Sequence, residues 1–176
     1  MNNPNYHIAT NKAYEILAKF DSLTLPICAK SIIDMYPTIT VLSYADACKK
    51  YKRKVVDLMV QSHHGFTLKN GSNHIILYNS WMRTEIIRFT LAHELGHCEL
   101  GHEVDDDINN AEANCFARNL LCPIPAVECL SVKTAADYMA AFFVSKPMAK
   151  ASISLATCDH YHVNRNLYKK VLDAVV

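Results

Sequence analysis

The chain has 176 residues, of which 51% are apolar and 20% charged, with a formal net charge of +1. That length can bury a sizeable core without disulfide or metal staples, and the near-neutral balance gives no broad field for nucleic acid or an anionic membrane. Seven cysteines scattered through apolar segments, no CxxC pair and no signal-peptide pattern point to a reducing, cytoplasmic setting, and no apolar run approaches the roughly 20 residues of a membrane span.

In chain order, Ala13, Ile16, Leu17 and Phe20 fall at helical spacing, and the Leu25-Pro26-Ile27 turn opens a short helix to about Tyr36. Ile39 to Ser43 reads as a strand. Ser43 then caps a helix with Tyr44, Ala47, Tyr51 and Val55 along its buried stripe and Asp46 at the reciprocal capping position. GFTL and HIILYN form strands around a turn marked by Asn70-Gly71. From about Arg83 to Leu100 apolar residues cover most of the helical surface, so this helix is expected to be largely buried. A polar loop, Glu103 to Asn110, leads to a helix from Ala111 to Cys122 that Pro123 and Pro125 stop. The tail reads as helices from Thr134 to Phe143, from a Ser145 cap to about Thr157, and from Arg165 onward.

The chemistry sits in FTLAHELGHCELGH, Phe89 to His102. His93 and His97 lie one helical turn apart on one face, so two imidazoles can reach one Zn²⁺ at about 2.0–2.1 Å. Glu94 projects to the side, where a carboxylate can take a proton from a metal-bound water and return it to a leaving amine, the role of the glutamate in HExxH metallopeptidases. The same five letters also arise by chance on ordinary amphipathic helices; here they occupy the most apolar helix of the chain, after a hairpin whose edge can hold an extended peptide.

IIRFTLAHELGHCELGH, preceded by GFTLKNGSNHIILYNS and followed by AEANCFARNLLCP, resembles the ImmA/IrrE family of zinc metallopeptidases, from about Tyr14 to Pro123, and AAFFVSKPMAKASI resembles the family's ending. The resemblance implies an α+β, zincin-like (gluzincin-like) fold, mostly helical, with a small, roughly three-stranded sheet beside the HExxH helix. The length fits a single domain over residues 1–176, with a core of about 10–125 and a helical tail of about 130–176. By the resemblance, function would be that of a zinc-dependent endopeptidase that cleaves a helix-turn-helix repressor of a phage or mobile element. The alternative is a regulatory protein that binds such a repressor without cleaving it efficiently. His93 and His97 become metal ligands and Glu94 the general base.

At the third ligand the chain departs from the family pattern, because the position six residues before Phe116 is Asn110, a neutral side chain and a poor zinc ligand. Glu112 is the nearest carboxylate and is expected as the third ligand, although it lies about 200° around the helix from position 110; Asn110, Asp105, Asp106 and Asp107 remain alternatives. Asn109 and Glu112 also have capping-box spacing, which would turn Glu112 back to the helix start. His102, about 500° beyond His97, reads as a helix-end histidine. Cys98 is expected to point away from the histidine pair as a buried thiol. His160 and His162 alternate near the end and read as surface residues, the other reading being a pair that stabilises a developing oxyanion at the site. The basic run Lys49 to Lys54 reads as a solvated face. Thr134 to Ser154 has a helix-turn-helix outline, but its only basic residues are Lys146 and Lys150, so neither direct nucleic-acid binding nor membrane binding is expected.

Overall fold

A computed structural model describes residues 3–175. Ten helices and three strands follow in the order α1 (Tyr6–Leu17), α2 (Ala29–Ile33), β1 (Ile39–Ser43), α3 (Tyr44–Tyr51), α4 (Val55–Gln61), β2 (Gly65–Asn70), β3 (Asn73–Tyr78), α5 (Thr84–Leu100), α6 (Asp107–Leu121), α7 (Ile124–Cys129), α8 (Ala135–Phe142), α9 (Lys146–His162) and α10 (Arg165–Val175). The fold is α+β and mostly helical, with one small mixed sheet.

The sheet has the order β1-β3-β2, with β1 parallel and β2 antiparallel to β3. The hairpin places Lys69 opposite His74, so β3 is central and β2 is left as an edge beside α5. β3 alternates as a half-buried strand should, and its Ile76 side chain joins the main core while Leu77 joins Tyr44 and Ala47 on the other face.

Ser43 caps α3 as expected, its Oγ accepting from the Asp46 amide at 3.0 Å. The helix does not run on to Val55, however. Lys52 adopts the left-handed conformation at φ 52° and ends α3, Val55 begins α4, and Tyr51 is exposed instead of packed. The break lies inside the basic run, where consecutive lysines and an arginine offer no apolar stripe to bury.

α5 is embedded through its middle, with Thr90 to Ala92 and Glu94 to Gly96 buried, while Ile86, Ile87 and Phe89 keep partial exposure. Its partner is α6. Gly96 makes the approach close: a Cβ at this position would lie 3.0 Å from Phe116 Cδ1 and 3.3 Å from Ala113 Cα. The main core joins α1, α2, α5 and α6 through Tyr14, Leu17, Ile33, Leu95 and Phe116, and reaches α8, α9 and α10 through Phe142, Ala149 and Val171. A buried, two-pronged ion pair ties α6 to α9, with Arg118 Nε 2.6 Å and Nη2 2.7 Å from the Asp159 carboxylate. Pro125 does not end structure after α6; it sits in the first turn of α7, where its missing N–H costs nothing. Among the described residues no helix is long and apolar enough to cross a membrane.

Candidate metal centre

α5, α6 and the edge strand β2 enclose a cleft of about 590 Å³, and His93, Glu94 and His97 all open onto it, with Thr67 on the sheet side and Asn110 and Asn114 on the α6 side. The two imidazoles converge, His93 Nε2 and His97 Nε2 lying 3.0 Å apart. Two nitrogens bound to one tetrahedral Zn²⁺ would lie roughly 3.3 Å apart, so this separation is close to that of a shared metal.

The outer nitrogens have partners. His93 Nδ1 lies 2.9 Å from Asn114 Oδ1, and with its N–H donated there its Nε2 carries a bare lone pair. Burial, opposed by the bonds to Asn114 and Asn110, holds His93 below the usual imidazole range. Burial and then the neighbouring His93 and His102 push His97 down to about 4. Both shifts favour the neutral ring, which is the form that binds a metal.

Glu94 is buried and points sideways to the sheet, where its Oε2 accepts from Thr67 Oγ1 at 2.8 Å. Burial raises it to about 7, with the Thr67 bond opposing the shift. A carboxylate poised near neutral pH can both accept and release a proton. Cys98, one turn further along, does not point away as expected: it lines the same cleft, and burial first, then Glu94, raises its thiol to about 12, so it stays protonated.

The donor set fits a metal at two corners. The third corner differs from the expectation for Glu112. α6 begins at Asp107, four residues earlier than expected, capped by Asp106 Oδ1 accepting from Asn109 N at 2.7 Å, so Asn109 is not the cap and Glu112 is not in a capping box. In this register Asn110 and Asn114 share the cleft face, and Glu112 lies on the opposite side. Its Oε1 accepts from the Asn5 amide at 2.6 Å and its Oε2 faces His102 Nε2 at 3.0 Å, so Glu112 is not among the cleft groups. Asn110 lines the cleft beside the imidazoles, and its amide donates to Asp105 Oδ1 at 2.6 Å, which holds a carboxylate at the rim of the cleft. Asp106 is committed to the cap, and Asp107 is exposed and outside the lining. Among the described residues no three His, Cys, Asp or Glu side chains form a ready metal cluster.

A family model described as the IrrE N-terminal-like domain, of the M78 peptidases, matches residues 48–154. The chain belongs to this family. The match starts later than the resemblance read from the sequence, and it runs through α8 into α9, taking in the segment AAFFVSKPMAKASI read there as the family's ending. The M78 family is one of peptidases, and its members are typically metal-dependent. No curated protein matches the chain.

Two contributors to the site, Thr67 and Asn114, escaped the sequence reading, and two others, Asp105 and His102, were named there in different roles. Thr67 could have been found as the middle of a strand preceding the helix, and Asn114 as the residue one turn beyond Asn110. Asp105 lay among the alternatives, but nothing in its loop foretold the bond from Asn110. His102 was set aside on helical phase alone. Gly101, at φ 69°, ends α5 in the left-handed conformation, and the chain folds back so that His102 N bonds to His97 O at 3.0 Å and its ring meets His97. Glycine just past a helix was the available signal. His160 and His162 lie outside the cleft, near Glu128 and Tyr6 respectively.

Proposed function

We propose that this M78 family protein is a zinc-dependent endopeptidase acting in the cytoplasm on a protein substrate, in which His93 and His97 hold the metal and Glu94 is the general base. The observation that carries the reading is the convergence of two neutral imidazoles at 3.0 Å beside a buried carboxylate whose proton affinity is matched to neutral pH. When bound, Zn²⁺ would supply Lewis acidity and lower the pKa of a coordinated water to roughly 7.

The remaining work falls to the chain. Thr67 holds Glu94 on the sheet side of the cleft, where its carboxylate takes a proton during attack on the peptide carbonyl and delivers it to the leaving amine. The free edge of β2, from Phe66 to Lys69, offers main-chain groups to an extended peptide laid antiparallel along the cleft. A helix-turn-helix repressor of a phage or mobile element as substrate rests on the resemblance to ImmA/IrrE proteins.

Asn110 favours a second reading, a regulator that binds its repressor and cleaves it poorly. An amide where the family pattern has a glutamate weakens metal affinity and leaves more positive charge on a bound ion. Incubating the zinc-loaded protein with a co-expressed partner repressor distinguishes the two. The peptidase reading predicts cleavage that falls by about 10²-fold or more in Glu94→Gln with metal retained; association without cleavage in wild type and mutant alike would establish the regulator.

A further inference from the structure

Behind the cleft, His97, His102 and Glu112 form a chain of contacts in which His97 Nδ1 lies 2.9 Å from His102 Nδ1, and His102 Nε2 lies 3.0 Å from Glu112 Oε2. The His102 and Glu112 side chains are only 7% and 15% exposed, so water competes little for these bonds. The other Glu112 oxygen accepts the Asn5 amide at 2.6 Å, so the carboxylate is held from two sides.

Proton placement follows from that end. A carboxylate oxygen accepts, so in the neutral form of its ring His102 carries the hydrogen on Nε2, the nitrogen that faces Glu112. Its Nδ1 is then a lone pair, and the contact with His97 is favourable only if His97 donates from Nδ1. The Nε2 of His97 is left bare and directed at His93 Nε2. Asn114 does the same for His93 through one amide oxygen. Two lone pairs facing each other at 3.0 Å repel unless a cation lies between them.

We propose that Glu112 and His102 are positioning residues that fix the proton of His97 on Nδ1 and so hold its Nε2 lone pair ready for the metal. This rests on the metal-binding reading above, and it gives Glu112 a role that acts on the ligand His97 through His102 instead of the ligand role its sequence position invites. Outer partners of metal-bound histidines of this kind are worth 10- to 100-fold in metal affinity.

The test is long-range ¹H–¹⁵N NMR of the metal-free protein at neutral pH, in which the two nitrogens of each imidazole show whether they carry hydrogen. Wild type should show His97 with hydrogen on Nδ1 and His102 with hydrogen on Nε2. His102→Phe, which offers no acceptor, should move the His97 hydrogen wholly or partly to Nε2 and weaken zinc binding by about 10- to 100-fold. Glu112→Leu should shift His97 in the same direction. His102→Asn, whose amide oxygen takes the place of Nδ1, should restore both the tautomer and the affinity. Hydrogen on Nε2 of His97 in the wild type, or an unchanged tautomer in folded His102→Phe, would overturn the proposal. Because the tautomer is read without metal, wild type that takes up no zinc while carrying hydrogen on Nδ1 would count against the metal reading and leave the proton placement standing.

Discussion

Glu94 shows how one buried side chain couples stability to function. Its carboxyl is raised from 4.5 to about 7 by burial, so the folded chain binds this proton more tightly than the unfolded one. The stability that this confers is fully present below about pH 4.5 and is lost as pH rises through about 7. His97, lowered to about 4, acts in the opposite sense at lower pH, so wild type alone does not isolate the effect. Comparison with Glu94→Gln does. In metal-free protein the stability advantage of the mutant over wild type should grow by roughly 2–3 kcal/mol between pH 5 and 8, measured by urea unfolding. A constant difference over that range would mean that Glu94 titrates as an exposed carboxylate. Asn110 belongs to the same scale: Asn110→Glu puts a charged donor on the cleft face of α6 and should tighten zinc by about tenfold or more in a competition titration, one charge-assisted bond corresponding to about 1.5–3 kcal/mol. Unchanged affinity would show that the Asn110 and Asp105 pair already serves as well as a carboxylate.

Among the elements, α5 and α6 decide the site, and their relative placement depends on Gly96 and on what anchors α6 from behind. The Arg118–Asp159 pair is such an anchor, buried and two-pronged. Asp159→Ala leaves the guanidinium buried without its partner and should cost about 3–5 kcal/mol in denaturant unfolding; a loss below about 1 kcal/mol would place the pair among exposed ion pairs instead. Element boundaries explain what the sequence left hidden. All three strands and the order of the main helices were legible because apolar periodicity and caps such as Ser43, Thr134 and Ser145 mark them locally. The start of α6 was not, because Asp106 and Asn109 are both good caps by residue type, and it is Asp106 whose carboxylate accepts the Asn109 amide. Glu112, about 200° around α6 from Asn110, faces away from the cleft and meets His102 instead.

For the whole molecule, the HExxH pair and its glutamate were readable from letters alone, since one helical turn dictates their common face. The partners that set each imidazole's proton were not, because Asn114 and Glu112 arrive from another helix and His102 from a chain reversal at Gly101. The central claim is that this assembly binds one metal ion through His93 and His97. Elemental analysis of the purified protein, wild type beside His93→Ala/His97→Ala, tests it most directly. Close to one zinc per chain in wild type and almost none in the double mutant is the predicted result; equal metal content in the two proteins would contradict it.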